Sequence, residues 1–145
     1  MNVSNHFTLE ELTRTSFKIL NEPDSSARFY LQRLAIFILE PIRDRFGALI
    51  VNSGFRCKEV NDKVNGAKDS AHLYGCAADI VPTDVSINPC DMMDWLSTSA
   101  VPFDQVIDEG SWLHVGGLRP GHEQQARRQL LIQRSGRYSV WQPQA

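Results

Sequence analysis

Ser70-Ala71-His72-Leu73-Tyr74-Gly75-Cys76-Ala77-Ala78-Asp79, with Trp112-Leu113-His114-Val115 further along, is the part of the chain that decides its fold and chemistry. His72 precedes Asp79 by seven residues, and His114 stands in a separate strand-like stretch. Two imidazoles and one carboxylate are the three protein ligands of a catalytic zinc site, whose fourth position stays open to water or substrate. Alone, a histidine seven residues before an aspartate means little, because most such residues are ordinary surface or core side chains. Here Gly75, Ala77 and Ala78 are small enough to let backbone and ligands come close. Asp79 leads into the apolar run Ile80-Val81-Pro82, which puts its carboxylate on a strand buried on at least one side. A buried carboxylate needs a partner, and a metal ion is one of the few that suffice. The pattern points to a zinc hydrolase.

A chain of 145 residues can bury a core without disulfide staples, and we expect one domain over residues 1–145. Its 42% hydrophobic and 22% charged content is ordinary for a globular protein. A net charge of -2 gives no electrostatic case for nucleic acid, and the Arg127-Arg128 pair reads as solvated surface. Three cysteines (Cys57, Cys76, Cys90) with no C-x-x-C pair fit a reducing compartment rather than a disulfide framework. Cys76 lies between two candidate ligands but reads as a small buried residue. The start, Met1 to His6, has neither the basic segment nor the apolar core of a secretory signal. No stretch approaches the ~18 apolar residues of a membrane span.

Thr8-Leu9-Glu10-Glu11 has the form of a capping box and predicts a short helix. After a loop at 22–26, Leu31, Leu34, Ala35, Ile38, Ile42 and Phe46 recur at helical spacing, with Pro41 expected to kink or interrupt the helix. Leu49 to Ser53 predicts a strand, 60–64 a short helix closed by Asn65-Gly66, 67–75 a loop carrying His72, and 77–81 a second strand. Asn88-Pro89 opens a helix ending near Ser99. Strands are expected at 105–108, 112–115 and 129–133, the first two joined by a tight turn at Glu109-Gly110-Ser111. The tail 143–145 is expected to fray. Segregated helices and sequential strands predict an α+β domain with a mainly antiparallel sheet flanked by helices.

The order Ser53-Gly54-Phe55-Arg56, Asn61, Gly66, Ser70-x-His72-x-x-Gly75-x-Ala77-x-Asp79, and then Phe103-Asp104-Gln105-Val106-Ile107-x-Glu109-x-x-Trp112-x-His114-Val115 resembles one family. It is that of the zinc D-alanyl-D-alanine carboxypeptidases and L-alanyl-D-glutamate endopeptidases, which share a fold with the hedgehog signalling domain. The likeness runs from about residue 7 to residue 118 and takes in Phe7 to Thr13 and Leu34 to Arg43. It implies a metallopeptidase with one Zn2+ per chain that hydrolyses an amide bond in the peptide part of bacterial peptidoglycan. A phage endolysin is the role expected: a monomer made in the host cytoplasm, reaching the wall in the periplasm through a holin or from a virion, with the stem peptide as partner. The alternative is a zinc-containing wall-binding module or virion component whose catalysis is weak or lost.

The resemblance assigns His72, Asp79 and His114 to the metal and Glu109, in E-x-x-W-x-H, to the general base. Several relatives carry the acid three residues before the second histidine, where this chain has Ser111, so Asp108 stays open as a second choice of base. Arg56 either grips a substrate carboxylate or developing oxyanion, or forms a structural ion pair with a neighbouring acid. Ser70 either contacts the substrate or holds the loop. Trp112 has the parity of His114 and is expected beside it, shaping the cleft or packing in the core. His6 and His122 lie outside the motifs, and His122 reads as a surface residue.

Overall fold

Alternation along the strands divides a six-stranded sheet into an apolar face and a polar face, and the helices cover the apolar one. The computed structural model describes residues 1–122 and 126–143. Its helices are α1 (Leu9–Leu12), α2 (Ser25–Leu34), α3 (Glu40–Phe46), α4 (Lys58–Lys63) and α5 (Pro89–Thr98). Its strands are β1 (Leu49–Ser53), β2 (Ala77–Pro82), β3 (Gln105–Asp108), β4 (Leu113–Gly116), β5 (Gln129–Arg134) and β6 (Arg137–Val140). Ala78, Ile80, Val106, Leu113 and Val115 point to the helical side and join the core with Leu31, Leu34, Ile38, Leu39, Ile42, Met92, Met93 and Leu96. No helix among the described residues is long and apolar enough to cross a membrane.

The caps follow the sequence. Thr8 and Glu11 form the capping box of α1, Asp24 accepts from Ala27 N to start α2, and Asn88 with Asp91 caps α5. The long apolar stripe is buried, but the helix that carries it is not uniform. Between α2 and α3, Ala35–Leu39 forms a π-helical turn in which Glu40 N donates to Ala35 O. Pro41 follows directly, and its ring would collide with the carbonyl four residues back in a regular helix. The wider turn accommodates it.

The strand order is β1-β2-β4-β3-β5-β6. Four pairings are antiparallel and one, β3 with β5, is parallel, so the sheet is mixed. This corrects the expected run of sequential strands: β5 returns to β3 instead of extending from β4. Asp104 explains the return. It is buried, accepts from the backbone and guanidinium of Arg127, and its carbonyl accepts from Gln129 N. The Arg127-Arg128 pair, expected as solvated surface, is exposed but engaged. Arg128 donates to the carbonyls of Val101, Leu96 and Ser99 and caps the end of α5.

Other boundaries shift. Trp112 lies in the turn, just before β4, and α4 begins two residues earlier than expected. The loop carrying His72 contains a 3-10 turn, Ala71–Tyr74. Strand β6 was not expected at all. Gln144 and Ala145, in the tail expected to fray, lie outside the described residues.

Burial of Asp104 acts to raise its pKa, but hydrogen bonds from Arg127 and that arginine's charge carry it below the ordinary aspartate value. A carboxylate whose pKa is depressed by folding stabilises the protein above its unfolded pKa and loses that contribution as pH falls towards the folded value. Asp104→Asn should therefore lower the urea midpoint at neutral pH and flatten its decline below about pH 4. A variant with the wild-type midpoint and acid dependence would exclude Asp104 as the anchor of β5.

Candidate metal centre

Asp79 and His114 are direct partners in the β2–β4 ladder, which sets both side chains on the polar face. His72 arrives from the 3-10 turn just before β2. Asp79 Oδ1 stands 3.3 Å from His72 Nε2 and 3.1 Å from His114 Nδ1. One ligand atom from each residue lies within 4.8 Å of the other two, the one such group of three among the described residues. The three residues predicted from the sequence are together.

Their chemistry fits a divalent cation. His72 Nδ1 is 2.7 Å from the carbonyl oxygen of Gly54. A carbonyl only accepts, so Nδ1 carries the hydrogen and the lone pair of the neutral ring sits on Nε2, towards Asp79. Burial pushes the pKa of His72 down and keeps that ring neutral. Burial alone would raise the pKa of Asp79. The hydrogen bond from His114, the contact with His72 and the charge these rings can carry outweigh it and hold the carboxylate well below the usual range. An imidazole lone pair and an ionised oxygen, both buried and facing each other, call for a cation.

The backbone that holds His72 is set by a close approach. Phe55 N donates 2.8 Å to Leu12 O, and a Cβ on Gly54 would lie 2.2 Å from that same oxygen. Gly75 ends the 3-10 turn at φ +75, where a Cβ would meet Ala27 O at 2.4 Å. Both positions admit only glycine. Ser70 caps the turn, its Oγ accepting from His72 N, so it holds the loop, and it also lines the cleft.

Arg56 takes the other oxygen of Asp79, with Nη2 at 3.2 Å from Oδ2. Its Nε donates to Ser53 and its Nη1 reaches Asn61. A bulge at Asn52, where the β1–β2 register shifts beside Asp79, sets up Ser53 for this contact. The structural ion pair is thus present, and its acid is Asp79.

These side chains open into a cleft of about 440 Å³ that Glu109 and Trp112 also line. Trp112 is 36% exposed and so forms a wall of the cleft rather than part of the core. Burial raises the pKa of Glu109, helped by the charges of Asp79 and Asp108 and opposed by His114 and Arg134. Asp108 is turned away: it is buried, accepts from Gly110 N and pairs with Arg134 at 3.2 Å.

The sequence model of Peptidase M15 matches residues 5–116. The chain belongs to the M15 peptidase family. That family comprises zinc-dependent metallopeptidases of the D-alanyl-D-alanine carboxypeptidase type, and the mixed α+β architecture agrees with it. A comparison with curated proteins gives no match.

For an M15 peptidase, part of the cleft comes from residues beyond the matched stretch. Arg119, Arg127, Gln133 and Tyr138 line it, and none was singled out as a site residue from the sequence. Gln133 and Tyr138 flank the turn Ser135-Gly136, both at positive φ, which joins β5 to β6. A Ser-Gly pair between a run of apolar residues and a Tyr-Ser-Val stretch is a turn signal, so this missed element had one.

His72→Ala should lower bound zinc well below the single equivalent expected of wild type, as measured by elemental analysis of dialysed protein. A full equivalent in the variant would remove His72 from the ligand set.

Proposed function

We propose that this M15 peptidase is a zinc enzyme hydrolysing an amide bond in the peptide moiety of bacterial peptidoglycan. The observation that carries the reading is the His72–Asp79–His114 group opening into one cleft with Glu109. His72 and His114 would hold the ion through nitrogen and Asp79 through Oδ1. When bound, zinc supplies Lewis acidity that polarises a carbonyl and lowers the pKa of water to ~7.

The protein's own groups do the rest. Glu109 takes the proton of the attacking water and passes it to the departing amine. Its carboxylate, raised by burial, is better matched to a proton shuttle near neutral pH than a solvated glutamate. Asp108 is committed to Arg134 and Gly110, which supports Glu109 over it. Arg56 has five N–H donors and directs three of them to Ser53, Asn61 and Asp79. The remaining two are the ones suited to a substrate carboxylate or the developing oxyanion. Trp112 walls the side of the cleft next to the base.

Within this reading we assign the chain to phage lysis: a monomer made in the host cytoplasm that acts on the stem peptide once released towards the wall. That assignment is supported by the family resemblance alone. A wall-binding module without catalysis is the second reading, favoured by Ser111 at a position where several relatives carry their acid. The placement of Glu109 in the cleft weighs against it.

Glu109→Gln should keep its zinc and lose about 10²-fold or more of the hydrolysis of purified peptidoglycan, whereas Asp108→Asn should keep most of it. Mass spectrometry of the digest would identify the new termini and thus the bond cut. Wild-type rates in Glu109→Gln would reject it as the base.

A further inference from the structure

The polar face of the sheet continues past the metal centre onto the C-terminal hairpin. Glu109 N donates to Trp112 O, tying these two residues across the β3–β4 turn. Strand β5 runs parallel to β3 with Ile132 opposite Asp108, so Gln133 comes level with Glu109. Gln133 in turn pairs with Tyr138. Trp112 and Glu109, at the β3–β4 turn, and Gln133 and Tyr138, on β5 and β6, therefore form one row about 14 Å wide at ordinary strand spacing. All four line the cleft, and Tyr138 is 60% exposed. Each guanidinium group of the cleft pairs with a carboxylate that also lines it: Arg56 with Asp79, Arg119 with Asp69 and Arg127 with Asp104. The row carries two aromatics and an amide around Glu109, and Arg134, beside the Gly110 turn, is paired with Asp108.

We propose that this row is a saccharide subsite that receives an amino-sugar disaccharide of the glycan strand next to the stem peptide. The proposal rests on the peptidoglycan reading above. An N-acetylated sugar is neutral, presents C–H faces to aromatic rings, and offers hydroxyl and amide groups to a side chain that both donates and accepts. Tyr138 and Trp112 supply the rings and Gln133 the amide. The surface is continuous with the catalytic cleft, so a sugar seated there stays attached to the peptide at the metal centre. Gln133 and Tyr138 lie outside the stretch matched by the family model, which makes this grip a property of the chain's own last hairpin.

The test compares a synthetic stem peptide with the same peptide carrying an N-acetylglucosaminyl-N-acetylmuramic acid disaccharide. Wild-type protein should favour the sugar-bearing substrate in kcat/KM, mainly through KM. Tyr138→Ala should reduce that preference about three- to tenfold, and Gln133→Ala should act in the same direction. An unaltered preference, or an equal loss on both substrates, overturns the subsite. If wild type cleaves neither substrate, the peptidase reading falls, and a tryptophan fluorescence titration of the zinc-loaded protein with the disaccharide decides the subsite. Saturable quenching that disappears in Tyr138→Ala upholds it, and a flat titration with wild type overturns it.

Discussion

A backbone carbonyl has only lone pairs to offer, so the oxygen of Gly54 dictates which nitrogen of His72 holds a hydrogen. The orientation of the ring follows from that bond, and so does the availability of Nε2 towards Asp79. The bond in turn depends on the path of residues 54–56. That path is tied to α1 through Phe55 N and Leu12 O, and to the ligand's own backbone through Arg56 N and His72 O. A short N-terminal helix thus sets the geometry of a centre built mostly from residues 70–116. Asp79 is shared in the same spirit. Oδ1 faces the two imidazoles while Oδ2 is held by Arg56, leaving the carboxylate little freedom to rotate.

The period-two geometry of the strands keeps chemistry and packing apart. Asp79 sits between Ala78 and Ile80, and His114 between Leu113 and Val115, all four buried on the helical side. The candidate ligands are therefore held on rigid backbone whose neighbours anchor the core. Shifting β2 or β4 by one residue would exchange the two sets of side chains at once.

The metal-ligand candidates are legible in the sequence because the chain has only four histidines and the small residues around His72 and Asp79 leave few other roles. The helix caps at Thr8 and Asn88 are legible because capping is a local hydrogen bond. The parallel pairing of β5 is not, since it is fixed by Asp104 and Arg127, 23 residues apart, and by no local pattern. The π turn before Pro41 reads as a kink, because periodicity reports which face is buried but not how the backbone admits a ring without an N–H. Asp108 and Glu109 are adjacent in sequence, and only their opposite facing on β3 and its turn separates a carboxylate bound to Arg134 from one open to the cleft.

In the sheet, the hairpin of β5 and β6 is joined to the strands that carry the candidate ligands through β3. By strand spacing, β6 lies roughly 14 Å from β4, beyond the range at which substitutions usually couple. Changes on β6 should combine additively in stability with changes at the candidate ligands. Selection can thus retune what the protein grips while leaving intact the apparatus that breaks the bond, a division of labour that follows from hanging the grip on the rim of the sheet.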